Sequence, residues 1–215
     1  MKARIIGFVL ISITGFVFAF FMITGNKTLK IYSPYELNSE LVDSSLQSKM
    51  SGHRIGSFNL INQYGEIITE KDFENKIYVA DFIFTTCPGI CPVMTKQMVR
   101  VQNANIDQQD FRILSHTVQP DVDTPELLLE YANLYEADPT IWQFVTGDRI
   151  DIFNLARKAY FAASVEPGHE EEMVHTENFV LIDKEKRIRG IYDGTSIEEV
   201  DRLIDDIEIL RNSYE

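Results

Sequence analysis

Cys87 and Cys91 are the only thiols in the chain, and they share one short stretch, Thr85-Thr86-Cys87-Pro88-Gly89-Ile90-Cys91-Pro92. Two thiols with three residues between them can exchange disulfides or hold a soft metal ion. They make a poor structural staple, because so small a closed loop constrains the unfolded chain little and 215 residues bury a core without it. Upstream, Asp81 interrupts an apolar run. If buried there, its carboxyl pKa rises and it can relay protons to or from a thiol; if it faces solvent near a strand end, it does neither. Of the histidines, His53 in a polar stretch and His116 in a strand read as ordinary. The run Gly168-His169-Glu170-Glu171-Glu172-Met173-Val174-His175 reads as a solvated acidic loop, with His169 or the Met173 thioether as the alternative of auxiliary metal ligands.

The elements that position these groups follow from apolar patterning. Ile77 to Phe84 has the length and β-branched and aromatic content of a buried central strand, and Val93 to Val99 reads as a helix with Pro92 near its first turn. The cysteines thus sit where a strand hands over to a helix, and the unpaired N–H groups of a helix start favour a thiolate. Before them, Phe58–Asn62 and Ile67–Thr69 form a hairpin with Gly65 in its turn. After them come a strand from Phe111 to Val118, a loop from Pro120 to Pro125, and a helix from Glu126 to Tyr135 with Thr124 as N-cap and Pro125 as first helical residue. A strand at Trp142–Val145, a helix over Asp148–Phe161, a hairpin of Phe179–Ile182 with Ile188–Tyr192, and an amphipathic helix from Ser196 to Leu210 complete the chain. This order predicts an α/β domain with helices packed on a central sheet and right-handed crossovers. Its function belongs at the carboxyl end of a central strand.

Composition bounds the rest. With 45% hydrophobic and 25% charged residues the chain is globular, and a net charge of −13 argues against nucleic acid as a partner. Ile5 to Ile23 is an almost uninterrupted apolar run flanked by Lys2 and Arg4, long enough to span a bilayer with its N-terminus in the cytoplasm. No small-residue cleavage pattern follows it, so a retained single-pass anchor over residues 1–24 is expected, with the remaining chain on the periplasmic or extracytoplasmic side of the cytoplasmic membrane. Residues 25–54 are polar and read as a tether with a short helix around Asn38–Lys49; as flexible chain they reach roughly 30 Å. The compact domain is expected over 55–215.

DFIFTTCPGICPVM from Asp81 to Met94, QPDVDTP from Gln119 to Pro125, and VHTENFVLID from Val174 to Asp183 resemble the SCO/SenC family of thioredoxin-like proteins associated with cytochrome c oxidase assembly. The similarity covers roughly residues 55–211, and an N-terminal anchor also suits the family. The resemblance implies a thioredoxin-like fold with an N-terminal hairpin extension. It also implies one copper ion held by Cys87, Cys91 and His175, and the copper-receiving subunit of the oxidase as partner. Some relatives act instead as thiol-disulfide reductases on the acceptor's cysteines. Two thiolates and an imidazole suit Cu(I), whereas structural zinc takes four protein ligands. Against general disulfide exchange, the chain has no proline after Gly168, where thiol oxidoreductases of that fold carry one facing the cysteines. Many relatives have Asp-Pro-x-x-Asp where this chain has Gln119-Pro120-Asp121-Val122-Asp123. If the first acid tunes the site, copper handling differs here; if it shapes the loop, glutamine suffices.

Overall fold

The computed structural model describes residues 28–37, 42, 46, 52–165, 173–175 and 177–214. Strands β1 (Asn59–Asn62), β2 (Ile67–Thr69), β3 (Ile77–Ile83), β4 (Phe111–Thr117), β5 (Trp142–Thr146), β8 (Asn178–Ile182) and β9 (Ile188–Asp193) form one sheet in the order β2-β1-β5-β4-β3-β8-β9. A separate hairpin pairs β6 (Ala163–Val165) with β7 (Met173–His175). The helices are α1 (Ile90–Ala104), α2 (Pro125–Leu134), α3 (Arg149–Asn154) and α4 (Ile197–Asn212).

β3, β4 and β5 run parallel, and every residue of β3 is buried, as expected for the centre of a sheet covered on both faces. On one face, Ile77, Val79 and Ile83 pack with Met94, Met98 and Val101 of α1, Leu128 of α2, and Leu203 and Ile207 of α4. On the other, Tyr78, Ala80 and Phe82 meet Ile152 and Leu155, with Phe58 and Phe73 from the segments flanking the first hairpin. That hairpin is the expected one, with Gly65 at φ +77° in its turn. Thr124 caps α2, its hydroxyl accepting the Leu127 N–H at 3.4 Å, and Pro125 opens the helix.

Three expectations are corrected. The helix expected over Asp148–Phe161 is α-helical only to Asn154. It widens into a π turn over Leu155–Ala159, and the chain then turns at Phe161, whose φ is +54°. The loop expected to end at His175 includes a strand: β7 pairs Val174 with Ser164 and His175 with Ala163, while 166–172 lie outside the described residues. A three-residue strand is too short to show alternation. Finally, where described, the stretch expected to be a tether is laid against the domain. Tyr32 N donates to Ile188 O at 2.9 Å, Val42 is buried, and Leu46 packs on the core face that holds Phe58. The helix expected around Asn38–Lys49 falls almost wholly outside the described residues. So does the anchor Ile5–Ile23; among the described residues no helix is long and apolar enough to cross a membrane.

Candidate metal centre

β3 ends at Ile83, and the chain turns back so that Cys87 N donates to Phe84 O at 3.3 Å. α1 begins at Ile90, three residues earlier than the apolar pattern indicates, which places Cys91 within the first turn and Cys87 just before it. Both thiols are free; Cys91 is fully buried and Cys87 is partly exposed. Burial opposes ionisation of Cys87, but the N–H groups of Cys91, Gly89 and Ile90 and the Cys91 thiol bring its pKa below the ordinary thiol value. Burial pushes Cys91 up to about 12, with the Cys87 and Asp81 charges acting the same way. One sulfur is therefore an accessible, readily formed thiolate, and the other keeps its proton until something takes it.

Asp81, left open between two readings by the sequence, is 1% exposed. It points from β3 to the face that carries α1, and burial raises its pKa to about 7, with Ser115 on the paired strand pulling it down. Ser115 Oγ itself accepts the Trp142 indole N–H at 2.8 Å, and neither Asp81 oxygen has a hydrogen bond of normal geometry. On the opposite face of the next strand, His116 is also fully buried. Its ring stacks on Phe82 at 4.6 Å, and Nδ1 lies 3.2 Å from Asp81 O. Burial lowers its pKa to about 4. His53 Nε2 lies 2.8 Å from Ala159 O beside the π turn, a packing role.

Sequence reasoning kept Asp123 but missed what it does. Its buried carboxylate accepts the Thr85 hydroxyl at 2.5 Å, the Thr85 N–H at 3.2 Å and the Thr117 hydroxyl, tying the cysteine turn to the end of β4. Polar residues at the carboxyl ends of two adjacent parallel strands, Thr85 and Thr117, were the available signal. Gln119 also stays in this network. Its Oε1 accepts from the Thr86 hydroxyl at 3.4 Å, and its N–H donates to Thr117 Oγ1 at 3.0 Å.

β8 runs antiparallel to β3, pairing Tyr78 with Ile182 and Ala80 with Val180, so β8 begins at the end of β3 from which the cysteine turn departs. The backbone of His175, at the close of β7, precedes that beginning by three positions. Its side chain lies outside the described part, and among the described residues no cluster of three His, Cys, Asp or Glu side chains can hold a metal.

A mainly parallel centre flanked by antiparallel strands, with a thiol pair at the exit of its central strand, defines a mixed α/β thioredoxin-like domain. The SCO1/SenC family model matches residues 46–211, and the chain belongs to that family. A SCO1/SenC family lipoprotein from Bacillus anthracis is 31% identical, with a TM-score of 0.64 over 74% of this chain and 95% of that one. BsSco, a member of the Sco family of cytochrome c oxidase assembly proteins in which a disulfide switch was identified, is 30% identical, with a TM-score of 0.62 over 74% and 93%. Yeast Sco1, solved with copper bound, is 26% identical, with a TM-score of 0.57 over 73% and 90%.

Proposed function

We propose that this protein is a membrane-anchored copper chaperone. Cys87, Cys91 and His175 bind one copper ion and release it to the copper-receiving subunit of cytochrome c oxidase as its copper centre is assembled. The observation that carries this reading is the thiol pair at the start of α1, one sulfur partly exposed with its pKa lowered by neighbouring N–H groups, the other fully buried with its pKa raised. Copper is the cargo. Soft thiolates select Cu(I), and the partly exposed Cys87 is the ligand an incoming acceptor thiolate can displace first. The copper-bound yeast relative and the assembly role of the Sco family support the cargo and the acceptor. The apolar run Ile5–Ile23 supports the anchor, and a relative that is a lipoprotein supports a membrane address. X-ray absorption of the copper-loaded protein tests the ligand set. Two sulfurs and one nitrogen are expected, with the nitrogen lost in His175→Ala; an unchanged spectrum in that variant contradicts the assignment.

A second reading is supported by the same asymmetry and by the disulfide switch of BsSco. As a reductase, the Cys87 thiolate attacks an acceptor disulfide, forming a mixed disulfide and releasing one acceptor thiolate. Cys91 then gives up its proton, with Asp81 as the buried base, and displaces the second acceptor thiolate. Two electrons pass, and a Cys87–Cys91 disulfide remains. His175→Ala leaves this activity intact, so the two readings separate on one variant.

A further inference from the structure

The end of the sheet away from the cysteines differs in charge from the rest of the molecule. β3, β4 and β5 are parallel, and β9 runs the same way beyond the antiparallel β8, so the starts of β3 and β4 and the β8–β9 turn share that far end. There Lys76 Nζ donates to Gln109 O at 2.9 Å, Arg112 Nη1 donates to Phe111 O at 2.6 Å, and Arg54 Nη1 donates to Glu185 O. A carbonyl is a dipole without net charge, so these cations keep their full charge. Three nearby carboxylates serve four cations: Asp110 holds Lys184 and Arg211, Asp183 holds Arg187 and Arg189, and Glu185 pairs with Arg187 as well at 2.7 Å. Lys76 has its pKa lowered by burial first and then by the charge of Arg112, with Asp110 pulling it back up and Lys184 adding a smaller downward effect. Acids begin the helices at the cysteine end, with Glu126, Asp148, Asp151, Glu198 and Glu199, and Glu136 and Asp138 precede β5 at the far end, so the excess of cations belongs to the part of that end formed by β3, β4 and the β8–β9 turn. In a chain of net charge −13 this local excess is a polarised distribution.

The N-terminal segment arrives at the same basic end and is fastened there. Arg189, 8% exposed, donates from Nη2 to Leu29 O at 2.6 Å and from Nε to Lys30 O at 3.1 Å while its Nη1 meets Asp183 at 3.0 Å. Tyr32 N donates to Ile188 O, and Lys30 pairs with Glu36 at 2.7 Å across the turn at Pro34. With an anchor ending at Thr24, residues 25–28 are all that separates it from this strap. Fully extended, they reach at most about 14 Å.

We propose that the basic end of the domain, held by the Arg189 strap, docks on the anionic phospholipid headgroups of the membrane in which residues 1–24 are anchored, turning the cysteine site away from the bilayer. The inference rests on the anchor reading given under the proposed function. A cation held at an anionic surface shifts the ratio of docked to undocked molecules about fivefold, within a Debye length of ~8 Å at physiological salt. Tyr78, level with Ile188 through Ile182, lies five residues before Ile83; at ~3.3 Å per residue the cysteine turn stands roughly 17 Å above the docked end.

The test uses the full chain in nanodiscs of phosphatidylcholine alone or mixed with phosphatidylglycerol. A dye is placed on Cys87, which is reachable while Cys91 is buried, and nitroxides, which quench only near contact, on the headgroups. Single-particle quenching is expected to be low and narrowly distributed on the anionic discs, and higher and broader on the neutral ones or at high salt. Arg54→Glu broadens the anionic distribution, the triple variant R54E/K76E/R112E broadens it to the neutral pattern, and Arg189→Ala broadens both. Distributions that ignore lipid charge and the reversals overturn the docking. A narrow, strongly quenched population overturns the orientation. Failure of the chain to enter either disc overturns the anchor and the docking with it, whereas an inserted chain with lipid-independent quenching defeats the docking alone.

Discussion

Cys87 and Cys91 differ in exposure and in how readily they ionise, and this divides the chemistry between them. In the reduced protein, alkylation near pH 8 is expected to modify Cys87 first and Cys91 only after unfolding; mass spectrometry showing equal rates contradicts the asymmetry. Asp81 and His116 form a second pair of unlike groups, buried on opposite faces of adjoining strands. For Asp81 the folded pKa, about 7, lies above the ordinary carboxyl value of 3.8, so its contribution is fully present below pH 3.8 and is lost as pH rises toward 7. For His116 the folded pKa, about 4, lies below 6.5, so its contribution is present above pH 6.5 and is lost as pH falls toward 4. Between pH 4 and 6.5 the two slopes oppose each other, each on the order of 3 kcal/mol. Urea unfolding of the metal-free protein should therefore vary little across that window. Asp81→Asn should make stability fall on acidification, and His116→Phe should make it fall as pH rises; parallel curves for both variants contradict the burial account.

At the scale of elements, the site is a strand end, a turn and a helix start held together by one carboxylate. Removing it in Asp123→Ala leaves the Thr85 N–H and two hydroxyls without their acceptor, at a cost of about 3 kcal/mol. Urea unfolding should show the loss, and Cu(I) affinity should fall with it because the cysteine turn loses its tie to β4; a variant as stable as the parent contradicts this role. The strand, the cysteine turn and the capped helix α2 were legible from the sequence because each carries a local signal: an unbroken apolar run, a proline in a first helical turn, a threonine before a proline. The hairpin of β6 and β7, the π turn and the packing of residues 28–37 were not legible. Three-residue strands show no alternation, a π turn shares the apolar spacing of the helix it extends, and the contacts of Leu29 and Tyr32 are made to residues more than 150 positions away. The cysteine pair was likewise legible as chemistry, while the carboxylate that positions it depends on contacts across 38 residues.

Taken as a whole, the molecule separates its tasks along the strand axis. Parallel β3, β4 and β5 deliver the thiols, Asp123 and the beginnings of the helices to one end, and the N-terminal segment is fastened at the other. A ligand that binds only the folded domain stabilises it by mass action, by about 4 kcal/mol at a free concentration a thousand times its dissociation constant. Copper loading should accordingly raise the unfolding midpoint of the parent protein and not that of Cys87→Ser. The central claim, that Cys87, Cys91 and His175 hold copper for delivery, is met most directly by a Cu(I) competition titration of the reduced, oxygen-free full chain against Cys87→Ser, Cys91→Ser and His175→Ala. One tightly bound ion is expected in the parent, lost in both cysteine variants and greatly weakened in the histidine variant. Tight binding retained without Cys87 or Cys91, or a parent protein that binds no Cu(I) tightly while its dithiol still reduces a test disulfide, contradicts it.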